Sequence, residues 1–391
     1  MKNVKLTNNK KLFITLLSLF FIWGFITLMN DLLLPILKEK FHLTYFQAMF
    51  INFCFFIAYG VFSIPSSYFL KKTSYKITMI SGLIIISIGA LMMNIVYEYN
   101  NYYIFLSALT VIALGVIFLQ VSANPLINSL GNTRTASSRL TLAQGINSLG
   151  YIIAPLIFAH IILENHIPTI YSIMLTFLII ISILLSFVNF HNNDTKETVI
   201  ISNSKNQAIV YLGVACIFFY VGAEVSSGSL IINFAVAIKN STYTIKTATN
   251  LLIIYWGGAM IGRILGSILL KKYSPSKVLS FFCLINLFLT CSVILINGSF
   301  SLYSLLALGL FNSIMFPTIF SLTLTYTPKH LKEKTTGYLI TAIVGGAFIP
   351  LVQGKIADYL GLQMSFYVLL PCYFIILFFS LICTKKTNQI Y

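Results

Sequence analysis

Long unbroken apolar runs alternate with short polar or basic stretches along the whole 391-residue chain. The runs read as 13–37, 45–70, 77–97, 103–130, 139–163, 169–190, 208–238, 247–270, 278–297, 302–327, 335–354 and 364–384. At helical rise each spans about 30 Å, the thickness of a bilayer's hydrocarbon. Unpaired backbone groups are prohibitive there, and the runs are too long and continuous for barrel strands, so the pattern predicts twelve transmembrane α-helices. Most connections are short. The exception is 191–207, polar and carrying Asp194, Lys196, Glu197 and Lys205 near mid-chain. It is expected to be a cytoplasmic linker joining an N-terminal six-helix half, 1–190, to a C-terminal half, 208–391. A repeat supports this division: Lys71-Lys72 follows the second run and Lys271-Lys272 the eighth, each leading into a Ser-containing turn. The predicted fold class is therefore an all-α membrane protein of two pseudo-symmetric six-helix halves.

Composition narrows the classes further. Hydrophobic residues make up 58% of the chain and charged ones 9%, more apolar surface than one water-soluble core can bury. The formal net charge of +16 would suit nucleic acid, but no soluble basic segment is present to bind it. The lysines and arginines lie instead in short loops, and they concentrate on one side if the N-terminus is inside. Both termini are accordingly expected in the cytoplasm, with the protein multi-pass in the cytoplasmic (inner) membrane. The first run is too long for the core of a cleavable signal peptide. Six cysteines, at 54, 216, 283, 291, 372 and 383, lie in apolar runs without metal-ligand spacing and are read as small core residues. The five histidines are scattered, and neither closely paired carboxylates nor a nucleotide-binding loop occurs. No enzymatic chemistry, metal or cofactor is expected.

Polar residues inside the apolar runs locate the candidate chemistry. A carboxylate within a membrane span is costly unless it faces a partner or a watery cavity, which makes Asp31 in the first run a functional candidate. Glu224 in the seventh run occupies the equivalent helix of the other half, and at helical spacing Tyr220, Glu224 and Ser227 share one face. The two carboxylates can thus face one central cavity. Arg263 in the eighth run is either part of that path or a structural partner, pairing a carboxylate or capping a helix end near the cytoplasm. Gln120 and Asn124 are one turn apart in the fourth run, and Gln144 and Asn147 in the fifth. Such amides both donate and accept, as the hydroxyls of a sugar require, although bridging between helices is the alternative role. Trp256, beside Gly257 and Gly258, offers an indole to the apolar face of a sugar ring. Gly60, Gly150, Gly262, Gly266, Gly345 and Gly346 are expected to let helices approach closely.

Several stretches carry a family resemblance. They include Trp23-Gly24 with Asn30-Asp31-Leu32-Leu33-Leu34-Pro35, Gln120-Val121-Ser122-Ala123-Asn124-Pro125, and Arg139 through Gln144-Gly145-Ile146-Asn147. Tyr255-Trp256-Gly257-Gly258 with Gly262-Arg263, Phe311-Asn312-Ser313 with Phe316-Pro317, and Gly345-Gly346-Ala347 add to these. Together they span nearly the whole chain in order and resemble the fucose permease family of the major facilitator superfamily, the fucose/glucose/galactose:proton symporters. The resemblance implies that Asp31 is the carboxylate protonated and released during transport. It also links Gln144 and Asn147 to substrate. Gln120 stands where fucose-transporting members can carry a glutamate, so the pattern looks more like the glucose/galactose branch.

The expected function is symport of a monosaccharide with a proton by alternating access, the lipid bilayer and the sugar being the partners and the working unit a monomer. Gln120, Asn124, Gln144, Asn147, Glu224 and Trp256 are the expected sugar ligands. Asp31 is the proton-coupling group, and Lys71, Lys72, Lys271 and Lys272 help close the cytoplasmic side. An uncoupled or sodium-coupled carrier of another small polar solute remains open, as does a membrane sensor without net flux.

Overall fold

In the computed structural model the described residues are 12–28, 45–99, 101–162, 167–187, 204–238, 243 and 245–387. They form helices throughout, with no strand among them. In chain order these are α1 (Leu12–Leu28), α2 (Tyr45–Lys72), α3 (Tyr75–Tyr99), α4 (Tyr102–Ser129), α5 (Ala136–Ile162), α6 (Ile167–Ser186) and α7 (Ser204–Ser229). There follow the short α8 (Ile231–Ala237), then α9 (Ile245–Lys272), α10 (Pro275–Leu295), α11 (Ser299–Asn312) and α12 (Met315–Thr325). The last are α13 (Lys332–Thr341), α14 (Gly345–Leu360) and α15 (Leu369–Thr387). Among the described residues nine helical stretches are long and apolar enough to cross a membrane, and Leu12–Leu28 and Tyr171–Ile183 are shorter apolar helices.

Three expected runs are interrupted, each for a local reason. The 208–238 run stops at Ser229, where Gly228 weakens the helix and the Ser227 and Ser229 hydroxyls donate to carbonyls one turn back. The 302–327 run breaks at Ser313-Ile314. Pro317 has no N–H to give the Ser313 carbonyl four residues earlier, yet it fits the first turn of α12, where that N–H is not needed. The 335–354 run passes through a tighter turn at Ala342–Val344 before Gly345-Gly346. There the Gly345 backbone lies against the Phe218 carbonyl of α7, a place with no room for a Cβ.

The chain divides into two compact units. One comprises Met1–Leu130, Leu149–Val199 and His330–Thr341. In it α3 and α4 meet backbone to backbone, since Gly82 faces the Gly115 carbonyl and Gly115 the Gly82 carbonyl. The face of α3 turned outward carries Ile77, Ile84, Ile88, Leu91 and Ile95, while Met79, Leu83, Ile86, Ala90 and Met93 are buried. Both faces are apolar, so the helix is not amphipathic in the water-soluble sense, and the outer stripe suits lipid. Gly150 of α5 abuts backbone of Phe21 and Phe25 in α1, and Gly337 of α13 sits over Ser67 of α2. The Lys76 ammonium donates to the Ser186 carbonyl at 2.5 Å, satisfying a C-terminal carbonyl of α6.

The other unit comprises Gly131–Ser148, Ile200–Lys329 and Ala342–Tyr391. Its core is more polar: α7, α9, α11 and α15 bury Tyr220, Tyr255, Asn312 and Tyr373 among Cys216, Cys283, Cys372 and Cys383. All six cysteines are free thiols, and Cys291 is exposed rather than in the core. On α10 its neighbours Leu284 and Phe288 are also exposed, so this is a face suited to lipid, where a weakly polar thiol costs little.

Candidate functional site

On α9 the buried positions Leu251, Tyr255, Ala259, Arg263, Ser267 and Leu270 recur every three or four residues, so one helix face presents both a phenol and a guanidinium to the interior. Opposite them α7 presents Tyr220, Ala223, Glu224 and Ser227. The Arg263 Nη2 donates to the Glu224 carboxylate at 3.3 Å, with side-chain exposures of 9% and 15%. A charge buried to this degree is tolerated because it is paired and its other donors are used. Arg263 Nη1 donates to the Ser148 hydroxyl and, at 3.5 Å, to the Gln144 carbonyl, both on α5. Its Nε donates at 3.4 Å to the Ser313 carbonyl, the acceptor that Pro317 leaves without a helical partner. Arg263 is thus the structural partner of a carboxylate, one of its two expected roles.

A second polar chain runs from the same turn of α7. The Tyr255 hydroxyl lies 2.8 Å from the Ser227 hydroxyl and donates to the Glu224 backbone carbonyl at 3.4 Å. Asn312 donates to the Tyr255 oxygen at 3.3 Å and accepts from Tyr373 at 2.9 Å and from Asn286 at 2.8 Å. Helices α7, α9, α10, α11 and α15 are thereby tied around one amide, although the Asn286 Oδ1 is buried without a hydrogen-bond partner among the described residues. Trp256 stands beside it half-buried, edge-on to Tyr255 with centroids 5.2 Å apart, its indole against Gly228.

The residues singled out from sequence fall into three groups. Gln144 (8% exposed), Asn147, Glu224 and Trp256 all belong to the unit just described. Gln120 and Asn124 belong to the other unit. Gln120 donates to the Tyr59 hydroxyl at 3.1 Å, whereas Asn124 is fully buried and its amide has no hydrogen-bond partner among the described residues. Asp31 lies outside the described residues. Lys71, Lys72, Lys271 and Lys272 are exposed in the last turns of α2 and α9, where cations offset the helix dipole, and the Lys72 ammonium sits 4.6 Å over the Tyr68 ring. Tyr59, Tyr255, Asn286, Asn312 and Tyr373 were not among the expected site residues, although Tyr255 and Asn312 stand in the family-like stretches. For Asn286 and Asn312 the signal was present, a lone amide deep in an apolar run. For the tyrosines there was none, since tyrosine is common throughout the chain.

The Pro317 break supplies a direct check. Pro317 fits the first turn of α12 and the Ser313 carbonyl already accepts from Arg263, so Pro317→Ala mainly frees the unfolded chain and the thermal midpoint of the purified protein is expected to fall slightly. A higher midpoint would mean that the missing donor, not packing, sets the break.

A chain whose described residues form helices without strands, with lipid-suited outer faces and a charge pair, amides and phenols inside, is built as a membrane carrier. The chain belongs to the Major Facilitator Superfamily, whose family model matches residues 12–349. A glucose/galactose transporter of Brucella abortus is 39% identical over 95% of this chain and 94% of its own. The L-fucose-proton symporter of Escherichia coli is 31% identical, covering 89% and 87%. Among solved structures, the Escherichia coli protein FucP in its outward conformation superposes with a TM-score of 0.83 at 28% identity, over 95% of this chain and 98% of that one. These relatives bear out the resemblance to the fucose permease family.

Proposed function

We propose that the protein is a secondary active transporter that moves a monosaccharide of the glucose/galactose type across the cytoplasmic membrane together with a proton. The observation that carries this reading is the near-full-length identity to a protein named as a glucose/galactose transporter. The likeness to the L-fucose-proton symporter and to a solved structure of the fucose:proton symporter FucP favours the proton as the coupling ion. It acts as a carrier, not as an enzyme.

In this reading the chain spans the membrane twelve times in two six-helix halves, 1–190 and 208–391, with 191–207 as the linker and both termini in the cytoplasm. The concentration of basic residues in the loops assigned to the inside supports that orientation. Sugar hydroxyls engage the amides of Gln120, Asn124, Gln144 and Asn147 and the carboxylate of Glu224, while Trp256 covers the apolar side of the ring. The guanidinium of Arg263 supports this assignment for Glu224, because it neutralises the carboxylate through one oxygen and a sugar hydroxyl can donate to the other. Asp31 takes the proton from outside and releases it inside. Lys71, Lys72, Lys271 and Lys272 contribute to closure of the cytoplasmic side.

Proteoliposomes containing the pure protein test this with labelled glucose, galactose, fucose and N-acetylglucosamine, under an inward proton gradient and then a sodium gradient. Accumulation of glucose or galactose under the proton gradient alone is expected. Accumulation only with sodium would overturn the coupling ion, and no flux of any sugar would overturn the substrate class.

A further inference from the structure

Arg263 is joined to groups that the proposed function treats separately. Through Nη2 it holds Glu224 of α7, and through Nη1 it holds Ser148 and the Gln144 carbonyl of α5. Through Nε it holds the open carbonyl at the break between α11 and α12. The first part of α5 has a further tie to α9, since the Ser138 hydroxyl donates to the Ser267 carbonyl at 2.6 Å and both residues are buried. One turn before Arg263's contacts, Thr141 is fully buried with its hydroxyl lacking a hydrogen-bond partner among the described residues. The described bonds across the α5–α9 seam thus include Ser138 to Ser267 near its start and Nη1 of Arg263 further along.

A guanidinium is a rigid planar fork, and it satisfies acceptors on α5, on α7 and at the α11–α12 break together in only a narrow range of positions. A lysine, with one point of charge, cannot do this. When a sugar hydroxyl recruits the Glu224 carboxylate, the plane of Arg263 is drawn with it and the bonds to Ser148 and Gln144 are strained. Resting on the sugar-binding role of Glu224, we propose that Arg263 is a positioning residue that transmits sugar occupancy at Glu224 to α5. It holds α5 on α9 while the site is empty and releases it when the site is filled. Ser148 is the receiving end of that link, and the Pro317-made break is its fixed anchor. The assignment gives Arg263 a role in transport without direct contact to sugar.

The test is hydrogen–deuterium exchange across residues 136–148 of the full chain in lipid nanodiscs, with and without D-glucose or D-galactose, beside equilibrium binding of the same two sugars. In the parent protein sugar is expected to speed exchange in this segment by at least about tenfold, the low end of what loss of one hydrogen bond to a charged donor produces. Ser148→Ala is expected to exchange fast without sugar, to gain little on adding it and, because the coupling is reciprocal, to bind sugar up to about tenfold more tightly than the parent. Ser148→Thr, which keeps the hydroxyl, restores the response. Arg263→Lys keeps a charge beside Glu224 and is expected to lose the sugar-driven change as Ser148→Ala does. Slow, sugar-responsive exchange in Ser148→Ala or Arg263→Lys overturns the link while leaving the sugar site intact. Absence of binding of either sugar to the parent overturns the sugar-site reading itself, and the link with it.

Discussion

Arg263→Gln is expected to be among the most damaging single changes in this chain, lowering stability by about 3–5 kcal/mol, the cost of leaving one member of a buried ion pair alone. The geometry sets the size. Glu224 keeps 15% of its side chain accessible, so its charge is only partly hydrated once the guanidinium at 3.3 Å is gone. Two further acceptors lose this donor at the same time, the Ser148 hydroxyl and the Ser313 carbonyl, while the Gln144 carbonyl keeps the Ser148 hydroxyl at 3.0 Å. The Ser313 carbonyl suffers most, because Pro317 has already removed the helical N–H that would otherwise satisfy it.

The paired variant separates charge from packing. Glu224→Gln with Arg263→Gln removes both charges and leaves two amides able to bond each other, so most of the lost stability is expected to return. Thermal unfolding in one detergent, with the parent, both single variants and the double variant, gives the coupling. If Arg263→Gln alone melts with the parent, the pair is not what holds α7 and α9 together here.

How much of this was legible beforehand depended on whether a feature is local. The helices were legible because an apolar run in a bilayer has no other way to satisfy its backbone. So was the shared face of Tyr220, Glu224 and Ser227, which follows from helical spacing alone. The breaks at Ser313-Ile314 and Ala342–Val344 were not read, since hydropathy is the same whether or not the hydrogen-bond ladder is continuous. Pro317 and Gly345-Gly346 were the available clues. Arg263 was recognised as a charge needing a partner, but its partner on another helix is a matter of packing.

The same holds for Asn312, whose three partners come from α9, α10 and α15 and are 57, 26 and 61 residues away in sequence. Gln144 shows a subtler limit. The side chain was expected to matter, while the contact with Arg263 uses its main-chain carbonyl, which every residue possesses.

Asp31→Asn is expected to abolish uphill accumulation of sugar while sparing exchange of sugar for sugar across the membrane. Asp31 stands within the 13–37 run, about three-quarters of the way along, where a bare carboxylate is costly and a protonated one is not. In the proposed cycle the loaded carrier changes conformation with this group neutral. Asparagine is permanently neutral and nearly the same shape, so the conformational change survives and the obligation to carry a proton does not. In the parent, one pH unit across the membrane corresponds to about 1.36 kcal/mol per proton, enough for about tenfold accumulation at one proton per sugar. In Asp31→Asn the ratio should stay at unity whatever the gradient. The pH dependence separates the two proteins as well. Protonation from outside is favoured as outer pH falls, so parent uptake rises toward acid pH, whereas uptake by the variant is flat because nothing at position 31 titrates. Uptake and counterflow in proteoliposomes at several outer pH values measure both. Accumulation above unity in Asp31→Asn would move the coupling proton to another group, and of the carboxylates discussed here only Glu224 remains inside an apolar run.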